Sequence, residues 1–256
     1  MINYADITFN DRNPIKRKLQ RIRLWHSLSI LKNVPRNFTS TLLDFGSGDA
    51  TLCTQIATLW PKFQIFSYEP TPELREQALL NIHNFNNIYI IDSLDSLKKK
   101  TFDYIFCLEV LEHLSIQEIE KVLRHIYELS HSKTFIVIGI PNEIYLSALI
   151  KGIFRMTRRF GDVDAIPSNI LKATIGKPPL DRPIGNISKG LPYIFRHMGF
   201  DHRKIKTILK KRFHIHHFYG SPFPYLSDVT NFELYFICQK KGSNFKKALK
   251  NINHKI

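Results

Sequence analysis

The chain has 256 residues, with an apolar share of 43% and a charged share of 23%, which fits one globular core with additions better than two equal domains. No apolar run approaches the ~18–20 residues of a membrane span. The first residues lack a cationic-then-apolar leader pattern, and Cys53, Cys107 and Cys238 form neither a metal spacing nor an even disulfide set, so the sequence reads as a cytoplasmic protein with reduced thiols. The net charge of +15 is uneven: residues 1–36 carry +6, residues 37–150 carry −6 and residues 151–256 carry +15. Basic flanks around an acidic centre point to an anionic small molecule, an anionic membrane surface or nucleic acid as partner.

In chain order, Pro14 opens a basic helix over 14–33. Leu19, Ile22, Ile30 and Leu31 recur there at near-helical spacing among Arg17, Lys18, Arg21 and Arg23. Strands over 41–45 and 63–68 flank a helix over about 50–59, which Pro61 ends. Thr71-Pro72-Glu73 starts a helix to about 84, and 87–91 is a third strand. The continuous apolar run 102–108 reads as a fourth strand covered on both faces. Ser115-Ile116-Gln117-Glu118 is a capping box for a helix to about 130, and 134–140 is a fifth strand. This alternation predicts an α/β, doubly wound, mostly parallel sheet. Ligands of such sheets lie outside the carboxyl ends of the strands, where Asp44, Glu69, Asp92, Glu109 and Asn142 fall.

Beyond 142 the rhythm breaks. Residues 143–157 read as an apolar-basic helix, 161–190 as a long loop or lid rich in Gly, Pro, Asp and Asn, and 191–199 and 203–212 as two short helices. Strands close the pattern at 213–219 and 231–239. The expected organisation is a basic helical segment at 1–36, a core at 37–142, a lid on the acceptor side at 143–212, closing strands at 213–240 and a basic tail at 241–256.

The run Leu42-Leu43-Asp44-Phe45-Gly46-Ser47-Gly48-Asp49-Ala50 is a strand that ends in a glycine loop before a helix. Glycines there allow positive φ and close approach of a ligand, and the helix start adds free N–H groups. The carboxylate ~20 residues on that such sites use for a ribose diol is Glu69, followed by Pro70. Thr51 stands where a dinucleotide fingerprint has its third glycine. Asp44 suits a cationic or amino-bearing ligand better than a pyrophosphate.

The run resembles motif I of the class I S-adenosylmethionine (SAM)-dependent methyltransferases. The resemblance continues through Glu69, Ile91-Asp92-Ser93 and Phe102 to Leu114, with a closing strand near 232–240. It implies a Rossmann-like seven-stranded sheet with an antiparallel edge strand, and SAM as cofactor. By resemblance, Gly46 and Gly48, with Phe45 and Ser47 in the same loop, pass close to the cofactor, and Asp44 lies near its amino-acid end. Glu69 takes the ribose hydroxyls beside Pro70. Asp92 meets the adenine amino group with Ser93 and Leu94 alongside, Leu108 and Glu109 line the methionine side, and Val110 completes the set.

His113, in the loop after the fourth strand, is the candidate catalytic base, since histidine titrates near physiological pH; a loop histidine can equally tie backbone. Glu109, Glu112 and His113 also resemble the first part of the metal set of small-RNA 3′-terminal 2′-O-methyltransferases. No counterpart of the later histidine element of that family stands just after Pro141-Asn142, and two carboxylates with one histidine are incomplete, so no metal is expected. His214, His216 and His217 read as an edge strand.

The resulting expectation is an O-methyltransferase acting on a small, anionic or lipid-linked acceptor. It would be cytoplasmic, with peripheral association at the inner face of an anionic membrane, and the fourth strand's Leu-Glu-Val ending is what favours an oxygen acceptor. The generic domain is shared by quinone-pathway and surface-polysaccharide enzymes. The alternatives are an RNA methyltransferase, disfavoured by the lack of an RRM or KH motif, and a non-catalytic SAM-binding regulatory subunit.

Overall fold

The computed structural model describes residues 14–188 and 190–242. Most of the basic tail, from 243, and the first thirteen residues of the N-terminal segment lie outside the described residues.

The strands are β1 (Ser40–Phe45), β2 (Phe63–Tyr68), β3 (Ile88–Ile91), β4 (Phe102–Leu108), β5 (Ser130–Pro141), β6 (Gly185–Ser188), β7 (Leu191–Tyr193), β8 (Phe213–Ser221) and β9 (Glu233–Lys240). The helices are α1 (Pro14–Ser27), α2 (Thr51–Leu59), α3 (Pro72–Ile82), α4 (Ile116–Glu128), α5 (Tyr145–Arg159), α6 (Pro167–Thr174) and α7 (His202–Arg212). Seven strands form one sheet in the order β3-β2-β1-β4-β5-β9-β8. β1 to β5 pair in parallel. β9 runs antiparallel to both β5 and β8, so the one reversed strand lies just inside the edge strand β8.

Alternating residues of the central strands feed two cores. Leu43 and Ile105 face Ile119, Leu123 and Ile126 of α4 on one side, while Leu42 and Phe106 face Cys53 and Ile56 of α2 on the other. This double burial explains the unbroken apolar runs. Asp103 pins the far end of the sheet: its Oδ2 accepts from Ser40 Oγ at 2.8 Å and from Thr41 N and Oγ1 at 2.9 Å. The capping box at Ser115 and Glu118 forms as the sequence indicates.

α1 lies across the β8–β9 edge, where Tyr235 Oη donates to Arg23 O at 3.0 Å and Tyr219 Oη donates to His26 O at 2.8 Å.

Two elements differ from the sequence reading. The loop expected over 161–190 contains α6, which starts at Pro167 and buries Ile170 and Ala173. Gly152 of α5 leaves the room, since an added Cβ would sit 2.6 Å from Ile170 Cγ2. The helix expected over 191–199 is instead β7 plus loop, paired with β6 in a two-stranded sheet. Pro192 suits a first helical turn as well as an edge strand, and tertiary contacts decide: Ile194 N donates to His113 O at 2.9 Å. α7 forms as read, and it packs Ile205, Ile208 and Leu209 into the core beside α4.

Candidate active site

The parallel strands end along one edge, and the expected site residues gather there. After β1, Gly46 (φ +78) and Gly48 (φ +57) turn the chain in the left-handed region. The two glycines are needed for different reasons. A Cβ on Gly46 would lie 2.5 Å from Val110 Cγ2, whereas a Cβ on Gly48 would meet nothing within 4 Å. Gly48 therefore borders open space.

Glu69 holds this loop in place. Its Oε2 accepts from Gly48 N at 2.9 Å and its Oε1 from Thr71 N at 2.9 Å. Burial raises its pKa, and these hydrogen bonds oppose the rise. Ser67 Oγ donates to Ser47 Oγ at 2.7 Å, and Gly46 N donates to Tyr68 O at 2.8 Å. Phe45 packs edge-on against Tyr68 at 4.9 Å, and Pro70 is exposed at the rim.

Asp44 is buried beneath the loop and accepts from Cys53 Sγ at 3.4 Å. Burial pushes its pKa up to about 7, the Cys53 bond opposes this, and Glu69 and Asp49 add to it. Asp49 is also buried: Oδ1 accepts from Thr51 N at 3.1 Å, and Oδ2 has no hydrogen-bond partner among the described residues.

Asp92 and Ser93 are exposed after β3, with Ser93 Oγ accepting from Asp95 N at 3.2 Å, and Leu94 is half-buried behind them. Leu108 ends β4, and Glu109 N donates to Gly139 O at 3.0 Å. Ala50, Glu109 and Tyr145 carry positive φ without being glycine. Each follows the carboxyl end of β1, β4 or β5, and such strain concentrates at functional sites.

A second cluster lies beyond β4. Arg23, from α1, bridges Glu109 at 3.0 Å and Glu233 at 2.9 Å, so this member of the basic helix points into the site rather than outward. Glu112 is fully buried, and neither of its oxygens has a hydrogen-bond partner among the described residues. Burial pushes its pKa up to about 8; Glu233 adds to the rise, while Arg23 and Arg182 oppose it.

His113 Nδ1 lies 2.9 Å from Ile194 O, which fixes the proton on Nδ1 and leaves Nε2 with a lone pair. Nε2 is 3.8 Å from Glu112 Oε1. Tyr193 stacks on the ring at 4.2 Å, and His197 meets it edge-on at 4.8 Å. Burial lowers the pKa of His113 to about 4 and that of His197 to about 3, so both are neutral at pH 7. Glu112, His113 and His197 each offer a ligand atom, all within 4.8 Å of one another, a set able to hold a cation.

Arg182 donates to Glu112 O, while its Nε is a buried donor without a hydrogen-bond partner among the described residues. His197, Arg182 and Tyr193 come from the segment read as a lid. Nothing in their spacing marks them, because they meet His113 only through the fold. His214 and His217 are exposed on β8 and His216 is half-buried, away from this cluster in the sheet order.

A family profile described as "Methyltransferase domain" matches residues 12–164. The fold is similar to that of PH0226 protein from Pyrococcus horikoshii OT3, with 13% identity over 93% of this chain and 96% of that one and a TM-score of 0.61. It is similar to magnesium protoporphyrin IX methyltransferase from Synechocystis PCC 6803 with bound S-adenosylhomocysteine, at 13% identity, 92% and 91% coverage and a TM-score of 0.54. It is also similar to a SAM-dependent methyltransferase from Aquifex aeolicus, at 10% identity, 94% and 99% coverage and a TM-score of 0.54. No curated protein matches the chain. The structural likenesses are likenesses of fold; the profile covers more than half of the sequence and agrees with the motif order and strand order. The chain therefore belongs to the methyltransferase domain family, as an enzyme of the SAM-dependent type.

Proposed function

We propose that the chain transfers the methyl group of SAM to an oxygen of a small anionic or lipid-linked acceptor. The observation that carries the acceptor reading is Arg182, whose buried Nε lacks a partner beside a buried carboxylate and two neutral histidines. A desolvated guanidinium donor favours an anionic or oxygen-rich group. The basic segments around the acidic core give such an acceptor a favourable approach.

The strand ends fit an S-adenosyl ligand. Open space borders Gly48, Asp49 Oδ2 is unpartnered, and Asp44 is a carboxylate that a ligand ammonium would draw toward its ionised form. In this reading Gly46, Ser47 and Gly48 cradle the cofactor, and Asp44 with Leu108, Glu109 and Val110 serves the methionine side. Glu69 has a second lone pair on each oxygen for the ribose hydroxyls, and Asp92, Ser93 and Leu94 serve the adenine. Once bound, SAM supplies a methyl group already activated as a sulfonium.

The chain's own task is then to align the acceptor, exclude water and take a proton. His113 is positioned for the proton: its neutral form prevails at pH 7, Nδ1 is held by Ile194, and Nε2 is the basic atom. Glu112 Oε1 lies 3.8 Å from that atom. Among the described residues no helix is long and apolar enough to cross a membrane.

Three outcomes test this. Gly48→Ala places a methyl in the open space at the cost of about 1–2 kcal/mol for a left-handed residue. It is expected to weaken S-adenosylhomocysteine binding beyond its loss of stability, whereas Gly46→Ala, blocked by Val110, lowers both together. Calorimetry and urea denaturation of the two variants decide it, and identical behaviour contradicts the assignment of the open space.

Incubation with methyl-labelled SAM and cell extracts should label an oxygen of a small anionic or lipid-linked compound, identified by mass spectrometry. His113→Asn should lower labelling by about 10²-fold or more, the scale of general base catalysis, with cofactor affinity unchanged. Label on RNA or on nitrogen, or full activity of the variant, contradicts the reading.

The third outcome concerns Glu112. Its folded pKa of about 8 lies above the ordinary 4.5, so the folded chain keeps a proton that the unfolded chain loses in this window. Stability contributed by this group therefore falls as pH rises from 4.5 to about 8. Glu112→Gln removes that slope, so its stability relative to wild type should rise across the window and then level off. Parallel pH–stability curves would show that Glu112 does not hold the proton.

A further inference from the structure

α5 buries small residues and charge together, with Ala148 and Gly152 against Ile170 of α6, and leaves larger apolar residues outside. A surface helix normally turns its apolar stripe to the core and its charges to water. In α5 the row Ser147, Lys151, Arg155 and Arg159, spaced four residues apart, faces inward. Ser147 Oγ and Lys151 Nζ donate to Asn142 O at 2.7 and 3.0 Å. Lys151 and Arg155 pair with the buried Glu143 at 3.0 and 2.8 Å, and Arg159 pairs with the buried Asp164 at 2.6 Å. Burial alone would raise the pKa of Glu143; Lys151 and Arg155 overcome that and hold it well below the carboxylate range.

The opposite row is apolar and exposed. Leu146 is 40% exposed, Leu149 36% and Ile153 49%, with Phe154 at 63% beside them and Phe160 at 75% after the last turn. The spacing i, i+3, i+7 puts Leu146, Leu149 and Ile153 on one line of the helix. The register is locked by the inward ion pairs, so the helix cannot rotate its apolar row inward without stranding buried charges.

The apolar row borders a basic concavity lined by Lys151, Phe154, Arg155, Arg158 and Arg159. Counting Arg196, which pairs with Asp162, five cations meet three carboxylates here (Glu143, Asp162 and Asp164), an excess of two positive charges. A second copy of the chain would bring the same excess, on a molecule of net charge +15, so self-pairing through this face sets like charge against like. Nucleic acid would match the charge and leave the apolar row uncovered. An anionic bilayer matches both: an apolar helical face enters the acyl boundary while cations meet lipid phosphates.

We infer that α5 is a membrane-docking helix that lies in the surface of an anionic bilayer, with Leu146, Leu149, Ile153 and Phe154 in the acyl boundary and the basic concavity at the headgroups. The inference rests on the reading of a lipid-linked acceptor and names the face through which such an acceptor is approached.

The test is co-sedimentation of the full-length chain with vesicles of phosphatidylcholine alone and of phosphatidylcholine mixed with phosphatidylglycerol, over a salt series. Wild type should bind the phosphatidylglycerol vesicles, and less so at high salt. The double variant Leu149→Asp/Ile153→Asp should lower that binding by roughly tenfold or more, as expected for two buried aliphatic side chains replaced by charges. Leu80→Asp, which alters a more exposed apolar residue of α3, should bind as wild type. S-adenosylhomocysteine binding reports that each variant is folded.

The inference is overturned if the double variant binds vesicles like wild type. It is also overturned if wild type is a dimer that the double variant dissociates, or if wild type ignores both kinds of vesicle. The acceptor reading fails separately. If the face binds vesicles and the methyl label reaches only a water-soluble compound, the docking helix stands and the lipid-linked acceptor falls.

Discussion

Glu69 ties the end of β2 to the loop after β1. Its two oxygens accept from Gly48 N and Thr71 N, and hydrogen bonds to an ionised group contribute about 1.5–3 kcal/mol each. The carboxylate is buried, at 5% exposure, so those bonds offset its desolvation. With the bonds from Ser67 to Ser47 and from Gly46 to Tyr68, they hold the glycine loop in place. Asp49 and the start of α2 follow directly from that loop, and Asp44 precedes it near the end of β1. The site therefore depends on a carboxylate that is structural and, by the reading above, also meets the ligand.

The same edge gathers more carboxyl groups than cations. Asp44, Asp49, Glu69, Glu109, Glu112 and Glu233 stand along it, with Arg23 and Arg182 the cations drawn in to face the last three. Burial raises the pKa of Glu233 well above the usual range, and Arg23 opposes it. Breaking such a buried pair exposes the surviving charge to the full desolvation penalty. This accounts for the course of α1 across the sheet edge and for the contact of Arg182 with Glu112. The basic flanks thus divide into two roles. Arg23 and Arg182 serve the site, and Lys211 and Arg212 pair with Glu120 on α4. Arg21, Arg158 and Lys204 remain exposed.

The parallel core was legible because its strands are predominantly apolar runs closed by turn residues. The cluster at the strand ends was legible because Asp44, Gly46, Gly48 and Glu69 are local in sequence to those ends. The structure after β5 was not. α6 hides in a stretch rich in Gly and Pro because its apolar face covers only Ile170 and Ala173 against Gly152. β7 reads equally well as helix, since Pro192 suits either and the deciding contact, Ile194 with His113, spans 81 residues. His197 and Arg182 join the site by the same long-range packing. α5 was read as an apolar-basic helix, but which of its faces turns inward depends on Glu143 and Asp164, two buried carboxylates whose burial no local pattern signals.

The central claim is that the carboxyl ends of β1 to β4 form an S-adenosyl site. Isothermal titration of the folded chain with S-adenosylhomocysteine, and separately with NAD, addresses it most directly. S-adenosylhomocysteine should bind saturably, Glu69→Ala should weaken that binding by about 1.5–3 kcal/mol, the range for a hydrogen bond to a charged group, and NAD should not bind. Binding of NAD without S-adenosylhomocysteine, or binding that Glu69→Ala leaves intact, would contradict it.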